Sequence, residues 1–482
     1  MDNSQLYIQK MNLGWFIIAE SYDVIVVGAG TAGTYISLLL AKQGHKVLLL
    51  DKDEQDKVGK RLDVIHFETD RVEKAGIPPF KAGNSDCIEI RDTSIVATPD
   101  FTTTFNIRAL QTIVRLTPFL NRMYKVLKQN SVNLEFSTTF KNIIYDNGKI
   151  KGITTEKQNQ IKEYTAKIVI DASGKEAAIR TSLIEDYGVE TFKLSPSDVM
   201  YVLLQYIKWD DPNNRISSDT GYSWWLLWFG PSYIPDGAIL GVGQPGSYKN
   251  AELAREDFLR RAKVPAYEVI KEELGVTPYR RPPYSLVGDG FLCIGDAAAI
   301  TYPFSGHGVT ATWMLCMIAA DVISREIKKG GYLTRERLWD INVNYFRDQG
   351  AKFASLYMQL SGVLNFKEKE WNHFLKKGLI YRTRDIDNIP EPNKEYEEEM
   401  SIGELLKFLG KLLWGIITGK LTIKHVGRLI SANTLAGKIK KHYENYPKSV
   451  NEYSKWVMEA EELWSKKKVA IKQLPNVTIE YH

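Results

Sequence analysis

Three observations predict an α/β (α+β) fold: a Rossmann-like domain, an inserted antiparallel-sheet domain and a helical C-terminal extension. Residues 22–53 read as strand, glycine turn, helix and strand. Two further strand–turn corners follow at 167–174 and 291–296, with sheet-like sequence between them. After about residue 335 the apolar spacing becomes helical. The chain has 482 residues, enough for two or three domains, and its 44% apolar and 25% charged residues suit a globular chain with a large core.

The first element is SYDVIVVGAGTAGTYISLLLAKQGHKVLLLDKD. Val24–Val27 is a β-branched run of the kind a buried parallel strand needs. Gly28, Gly30 and Gly33 match G-x-G-x-x-G: a tight turn, an open approach for pyrophosphate, and close helix–strand packing. The helix N-terminus offers free N–H groups to phosphate. Leu48–Leu50 forms the next strand, and Asp51 closes it where an acid can accept from ribose hydroxyls, with Lys52 beside it. This order predicts a dinucleotide but does not choose between FAD and NAD.

The second corner, KIVIDASGKEAAIRTSL, reads as a strand ending in Asp171, a turn at Ser173-Gly174, and a helix carrying Arg180. The third, FLCIGDAAAITYPFSGHGVTATW, reads as strand Phe291–Ile294, a turn at Gly295-Asp296, and a helix from near Val309. Taken singly, each could be a structural corner and nothing more.

In this order, GAGTAG, DASG and GDAAAITYPFSGHG resemble the p-hydroxybenzoate hydroxylase superfamily of flavoproteins. The resemblance implies FAD. Asp296 would hold the ribityl hydroxyls, and Gly306, His307 and Gly308 would pass along the pyrimidine edge of the ring. The helix from Val309 would aim its positive end at the N1/O2 edge. Gly295, Pro303, Asp171 and Arg122 complete the expected cofactor set. No second glycine fingerprint is present, so NAD(P)H as a transient visitor and a ferredoxin both stay open as electron donor.

Within that superfamily the chain is similar to archaeal geranylgeranyl reductases over roughly residues 22–460. The likeness is carried by the nucleotide motif, GDAAAITYPFSGHGVTATWMLCMIAA, LWDINVNYFRDQGAKFASL and HYENYPKS. It implies an FAD-dependent reductase that saturates an isoprenoid chain on a membrane lipid or prenylquinone. GYSWWLLWFGP is similar to the family's aromatic substrate motif and offers Tyr222, Trp224, Trp225, Trp228 and Phe229 as a pocket wall. A packed sheet core is the alternative. The chain departs from the family at VGKRLDVIHFETDRVEKAGIP, where many members carry a P-C-G cysteine and this chain has Leu62-Asp63-Val64. Asp63 and His66, three apart, could share one side of a helix turn.

Alkene reduction needs a hydride and a proton on the neighbouring carbon. His307, between two glycines, reads three ways: as the proton source, as a hydrogen-bond donor to the flavin O2 or N1 region, or as a residue that points away and lends only its backbone; Tyr222, Tyr302 and His66 are lesser candidate proton sources. A flavin monooxygenase, or a degenerate flavoprotein binding lipid or quinone without turnover, fits the same motifs.

The remaining features set limits. Cys87, Cys293 and Cys316 make neither a metal pattern nor a disulfide framework, so no metal and a reducing interior are expected. A net charge of +5 is too weak to argue for nucleic acid and is compatible with an anionic membrane surface or an anionic cofactor. No run reaches roughly 18 apolar residues, and Trp15–Ala19 lacks the features of a secretion signal. DIDNIPEPNKEYEEE reads as a linker. In GELLKFLGKLLWGIITGKLTIKHVGRLI, Leu405, Leu406, Phe408, Leu409, Leu412, Leu413, Ile416 and Ile417 recur at helical spacing among Lys407, Lys411, Lys420, Lys424 and Arg428. This is a basic amphipathic pattern that fits either a membrane surface or a packed helix pair, with Gly403, Gly410, Gly415 and Gly419 against one unbroken helix. The expected location is cytoplasmic, with peripheral contact on the inner face of the cell membrane. The expected boundaries are an extension at 1–20; an FAD-binding domain at 21–60, 105–185 and 280–335; a substrate domain at 61–104 and 186–279; and a helical region at 336–482.

Overall fold

The computed structural model describes residues 20–59, 62–379, 402–474 and 477–481. The expected N-terminal extension up to residue 19, the acidic linker and the Leu405 side chain lie outside these.

The first sheet is built on strands β1 (Glu20–Val27), β2 (Val47–Leu50), β6 (Asn133–Glu135), β9 (Gln160–Asp171) and β16 (Phe291–Cys293), in the order β16-β9-β1-β2-β6, all parallel. Strand β15 (Val287–Gly288) adds antiparallel to β16, and β7 (Thr139–Asp146) and β8 (Lys149–Lys157) form a meander with β9. Val24–Val27 and all four β2 residues are buried, which is why these strands read as continuous apolar runs. Helices α1 (Thr31–Lys42) and α5 (Val309–Lys328) pack side by side: the Trp313 ring lies 5.4 Å from Tyr35, and its Nε1–H donates to the Thr31 carbonyl at 3.1 Å. Helix α3 (Leu116–Gln129) adds Phe119, Leu120 and Met123 to the same core.

The second sheet runs β14 (Tyr267–Pro278), β10 (Val199–Trp209), β13 (Gly237–Pro245), β12 (Leu227–Pro231), β11 (Thr220–Tyr222), β4 (Cys87–Ala97), β5 (Thr104–Arg115), β3 (Val64–Glu68). It is antiparallel apart from the β11–β4 pair. Residues 105–115, which the expected boundaries join to the cofactor domain, are hydrogen-bonded into this second sheet as β5. One face is covered by α4 (Tyr248–Arg261), through Ala251, Ala254 and Phe258, and by C-terminal elements. The other carries Val64, Leu204, Tyr206 and Ile239.

Helix α6 (Arg335–Tyr345) runs through a π-helical turn (Phe346–Gly350) into α7 (Ala351–Val363). Helix α8 (Glu368–Lys376) precedes α9 (Ile402–Ile417), which breaks at Gly419 (φ 65°) before α10 (Ile423–Glu444). A Cβ at Gly362 would stand 2.9 Å from Ala432, so α7 and α10 touch closely. The two C-terminal stretches noted in the sequence meet each other: the Phe346 and Tyr446 rings stack at 4.8 Å, and Arg347 Nε–H donates to the Tyr446 carbonyl at 2.8 Å. Tyr446 Oη–H donates to the Tyr284 carbonyl, tying this region to the parallel sheet. Helix α11 (Tyr453–Ser465) and the hairpin β17 (Ala470–Leu474)–β18 (Val477–Tyr481) close the chain, so the C-terminal region is helical with one added hairpin.

Candidate active site

The carboxyl ends of β1, β2, β9 and β16 lie together, where ligands bind in open parallel sheets. Gly28 turns out of β1 at φ 107°, and a Cβ there would stand 2.2 Å from the Ala172 carbonyl oxygen. A Cβ at Gly33 would stand 1.8 Å from the Gly28 oxygen, so this glycine lets α1 seat on the turn. Gly30 caps α1 with no side-chain hydrogen bond, and nothing lies within 4 Å of its Cβ position. This is an open, uncapped helix start of the kind a pyrophosphate needs. Asp51 accepts from the N–H groups of Ala29 (2.7 Å) and Asp53 (2.9 Å), holding the turn while keeping lone pairs for a ribose. Burial pushes its carboxyl up, and those N–H groups oppose that. Lys52 beside it is exposed.

The third corner brings a second helix start to the same place. A Cβ at Gly295 (φ 63°) would lie 3.1 Å from the Ala32 Cβ. Asp296 follows it. Its carboxylate is mostly buried, accepts no hydrogen bond from any described residue, and is pushed up to about 6 by burial alone. Pro303 is buried and Phe304 exposed in the loop leading to Gly306 (φ 75°), His307 and Gly308. The loop is closed by hydrogen bonds from Tyr302 N–H to the His307 carbonyl and from Gly306 N–H to the Tyr302 carbonyl, both 2.9 Å. A Cβ at Gly308 would press on the Ile300 oxygen at 2.9 Å. Gly308 caps α5 without a side-chain bond, leaving the first-turn N–H groups from Val309 onward uncapped. Two uncapped helix starts and an acid without a partner fit FAD: its pyrophosphate at Gly30, its ribityl hydroxyls at Asp296, and its ring edge at the Gly306–Gly308 backbone.

Other expected positions are committed elsewhere. Asp171 is fully buried, and its carboxylate accepts four hydrogen bonds, from Ser173 N–H and Oγ–H and from Ile179 and Arg180 N–H. It organises its own loop, which forms two 3₁₀ turns (Gly174–Glu176 and Arg180–Ser182) where a helix was expected. Arg180 Nε–H donates to the Ala297 carbonyl at 2.7 Å, joining the second corner to the third. Arg122 pairs with Asp86 (2.6 Å) and donates to the Pro78 carbonyl (2.8 Å), anchoring the loop before β4 instead of meeting the glycine turns.

His307 Nδ1 lies 3.0 Å from Glu68 Oε1, at the end of β3, and Thr310 Oγ–H donates to Oε2 of the same carboxylate. Sequence reading passed over Glu68, which lies 239 residues from its partner. Burial would push the Glu68 carboxyl up. His307, Arg71 and Thr310 outweigh that and hold it at about 2. The His66 ring lies 6.1 Å from that of His307, edge on, and burial lowers its pKa to about 4, so it is neutral near pH 7. Residues 64–68 are a strand, not a helix turn, so Asp63 and His66 share no face. Asp63 pairs instead with Arg115 at 3.1 Å.

The aromatic motif divides across the second sheet. Tyr222 and Phe229 pack on the face covered by α4, with the Tyr222 ring 4.6 Å from Phe258. Trp224 and Trp225 are buried there too, and Trp225 Nε1–H donates to Asp257 at 3.0 Å. Tyr222 is therefore core and not a proton source beside His307. Trp228 alone of the five reaches the opposite face, with His66 and Val64. There its ring fills the place of a side chain at Gly241, while positions 230 and 243 bear only hydrogen; a Cβ at 230 would stand 3.9 Å from His66 Nε2. This face meets the His307 loop at Thr277, 3.9 Å from the Cβ position of Gly306.

All three cysteines are buried, and burial pushes Cys87 up to about 11 and Cys293 to about 12, so neither supplies a reactive thiolate. Cys316 is raised further.

A family model for the FAD binding domain matches residues 21–219. The chain is 24% identical over 463 residues to the digeranylgeranylglycerophospholipid reductase of Sulfolobus acidocaldarius, spanning 91% of this chain and 96% of that protein. A second protein of that name, from Methanococcoides burtonii, is 24% identical over 449 residues, 84% of this chain and 99% of the other. Among solved structures, a geranylgeranyl bacteriochlorophyll reductase-like protein of Thermoplasma acidophilum has a TM-score of 0.61 at 18% identity, covering 81% of this chain and 96% of that one. A flavin-dependent brominase reaches 0.60 at 16% identity, covering 82% and 99%.

Proposed function

We propose, from the premise that the chain is an FAD-dependent oxidoreductase similar to archaeal geranylgeranyl reductases, that it saturates double bonds of an isoprenoid chain carried on a membrane lipid or prenylquinone. The observation that carries this reading is an apolar sheet face, bearing Trp228, Ile239 and Leu204 with bare glycines between, that meets the His307 loop. A flat, side-chain-poor floor suits a long apolar chain, and a small polar pocket would suit a hydroxylase substrate better.

The chemistry that FAD supplies there is transfer of a hydride equivalent. Gly28–Gly30, Asp51 and Asp296 bind the cofactor, and Gly306–Gly308 bring bare backbone to its ring. The apolar face orients the chain and excludes water. His307 provides the proton for the neighbouring carbon, with His66 close by as a neutral imidazole. The test is anaerobic: chemically reduced protein mixed with a geranylgeranyl lipid is reoxidised as the lipid gains hydrogen. Product that forms only with oxygen would move the assignment to a monooxygenase, and no turnover under either gas would leave a binding protein.

The same reading includes a peripheral membrane contact. No described helix is long and apolar enough to cross a membrane. Helix α9 and the start of α10 nonetheless expose Leu413 (58%), Trp414 (59%), Ile417 (68%) and Ile423 (72%) beside exposed Lys407, Lys420 and Lys424. An apolar stripe flanked by cations suits an anionic bilayer surface. Flotation with anionic liposomes checks this: Trp414→Ser with Ile417→Ser lowers the bound fraction, and unchanged flotation removes the contact.

A further inference from the structure

Glu68 sits where the two sheets meet. It ends β3 on the second sheet, yet both of its oxygens are taken by the loop and helix start that belong to the first. One oxygen holds His307 and the other holds Thr310, so the carboxylate spans the Gly308 cap. It is 5% exposed, and a carboxylate in that place can only accept. The nitrogen facing it, Nδ1, must therefore carry a hydrogen. His307 Nε2 has no hydrogen-bond partner among the described residues, although the ring lies within the protein at 22% side-chain exposure.

We propose that Glu68 is a positioning residue for His307: it fixes the Nδ1–H tautomer and the ring orientation, and leaves Nε2 as the nitrogen that exchanges a proton at the site. This rests on the reading of His307 as the proton source in isoprenoid reduction. In that step the Nε2–H bond would break and a C–H bond would form on one alkene carbon, and the hydride equivalent needed at the adjacent carbon is what reduced FAD, held by Gly30, Asp296 and the Gly306–Gly308 backbone, would supply. His307 is left neutral and regains its proton from solvent. Glu68 stays ionised throughout. The carboxylate holds the ring in place, the role an acid plays behind a catalytic histidine on many unrelated folds.

The charged and titratable groups around His307 are Glu68 and His66 from β3, Arg71 from the short helix α2 (Thr69–Lys74) after it, Asp296 from the third corner, and Arg91 and Asp219 behind His66. Arg91 and Asp219 are paired with each other at 3.2 Å, which leaves Glu68 as the carboxylate in contact with the ring.

The test is nitrogen NMR of the histidine side chains in the FAD-loaded protein, His307 being assigned by its loss in His307→Gln. Neutral His307 is expected with hydrogen on Nδ1 and a bare Nε2. In Glu68→Gln the tautomers mix, because the amide can present either an N–H donor or an oxygen acceptor to Nδ1. Retention of the flavin spectrum shows that the variant is folded. If wild-type His307 carries its hydrogen on Nε2, the proposal is overturned whatever the variants do. If Glu68→Gln leaves the tautomer unchanged, it is overturned as well. In turnover, Glu68→Gln lowers kcat with KM little changed, and Glu68→Asp restores part of the loss. Failure of the wild type to reduce any isoprenoid would sink the substrate reading alone, because the NMR result does not depend on substrate.

Discussion

Asp171 and Asp296 stand at the same end of neighbouring strands and have opposite occupations. Asp171 is fully buried and accepts four hydrogen bonds from its own loop. Asp296, one strand over, is also largely enclosed and accepts none from any described residue. Burial raises both carboxyls, but only at Asp171 do donors push back. The first acid stabilises the fold, and the second is held at a cost that a ligand can relieve.

The largest effect expected from this contrast is at Asp171. In Asp171→Asn the amide keeps one oxygen for one pair of donors and turns an NH₂ toward the other, so two buried N–H or O–H groups lose their acceptor. Chemical denaturation should show a loss of about 3 kcal/mol or more, at about 1–3 kcal/mol per orphaned donor; a change below about 1 kcal/mol would erase the contrast. Asp296→Asn should leave the FAD-free protein at least as stable and weaken FAD binding about 10- to 100-fold, as expected for hydrogen bonds to a charged group. Titration with FAD reads this, and unchanged affinity would return Asp296 to a structural role.

A smaller effect lies in pH. The carboxyl of Asp296 is raised in the folded FAD-free protein to about 6, against an ordinary value near 3.8. Between these values the folded chain binds more protons than the unfolded one, so stability is present at low pH and falls as pH rises from about 4 to about 6. With some solvent access the change should be about 1–2 kcal/mol, and absent in Asp296→Asn. The smallest effect belongs to Ser173→Ala, which removes one donor to Asp171 and the acceptor of Ala178 N–H. It should cost about 1 kcal/mol and leave FAD affinity unchanged.

The same pair shows what the sequence can and cannot say. Both acids follow an apolar strand and precede a turn, and spacing alone assigns both to the cofactor. Their difference comes from chain that folds back to donate to Asp171 from Ile179 and Arg180, while no described residue donates to the Asp296 carboxylate. The parallel strands were legible because burial on both sides leaves uninterrupted apolar runs at Val24–Val27 and Val47–Leu50. The aromatic stretch was harder to read: a turn at Ser223–Leu226, with Leu226 at φ 51°, resets the alternation, so Trp224 and Trp225 join the covered core and only Trp228 faces His66. Glu68 left no local sign, because its meaning lies in a partner on another sheet. Arg122 shows the reverse error: a cation near a nucleotide motif that serves a neighbouring loop.

The three buried cysteines have a practical consequence. Cys87 lies on the second sheet, Cys293 on the first, and Cys316 in α5 beside the cofactor turns, and all are closed to solvent. Alkylation with iodoacetamide followed by peptide mass analysis would therefore time the separate opening of three parts of the molecule, with no engineered label. Protection of Cys316 by added FAD, with Cys87 unaffected, would mark α5 as the part that the cofactor holds shut.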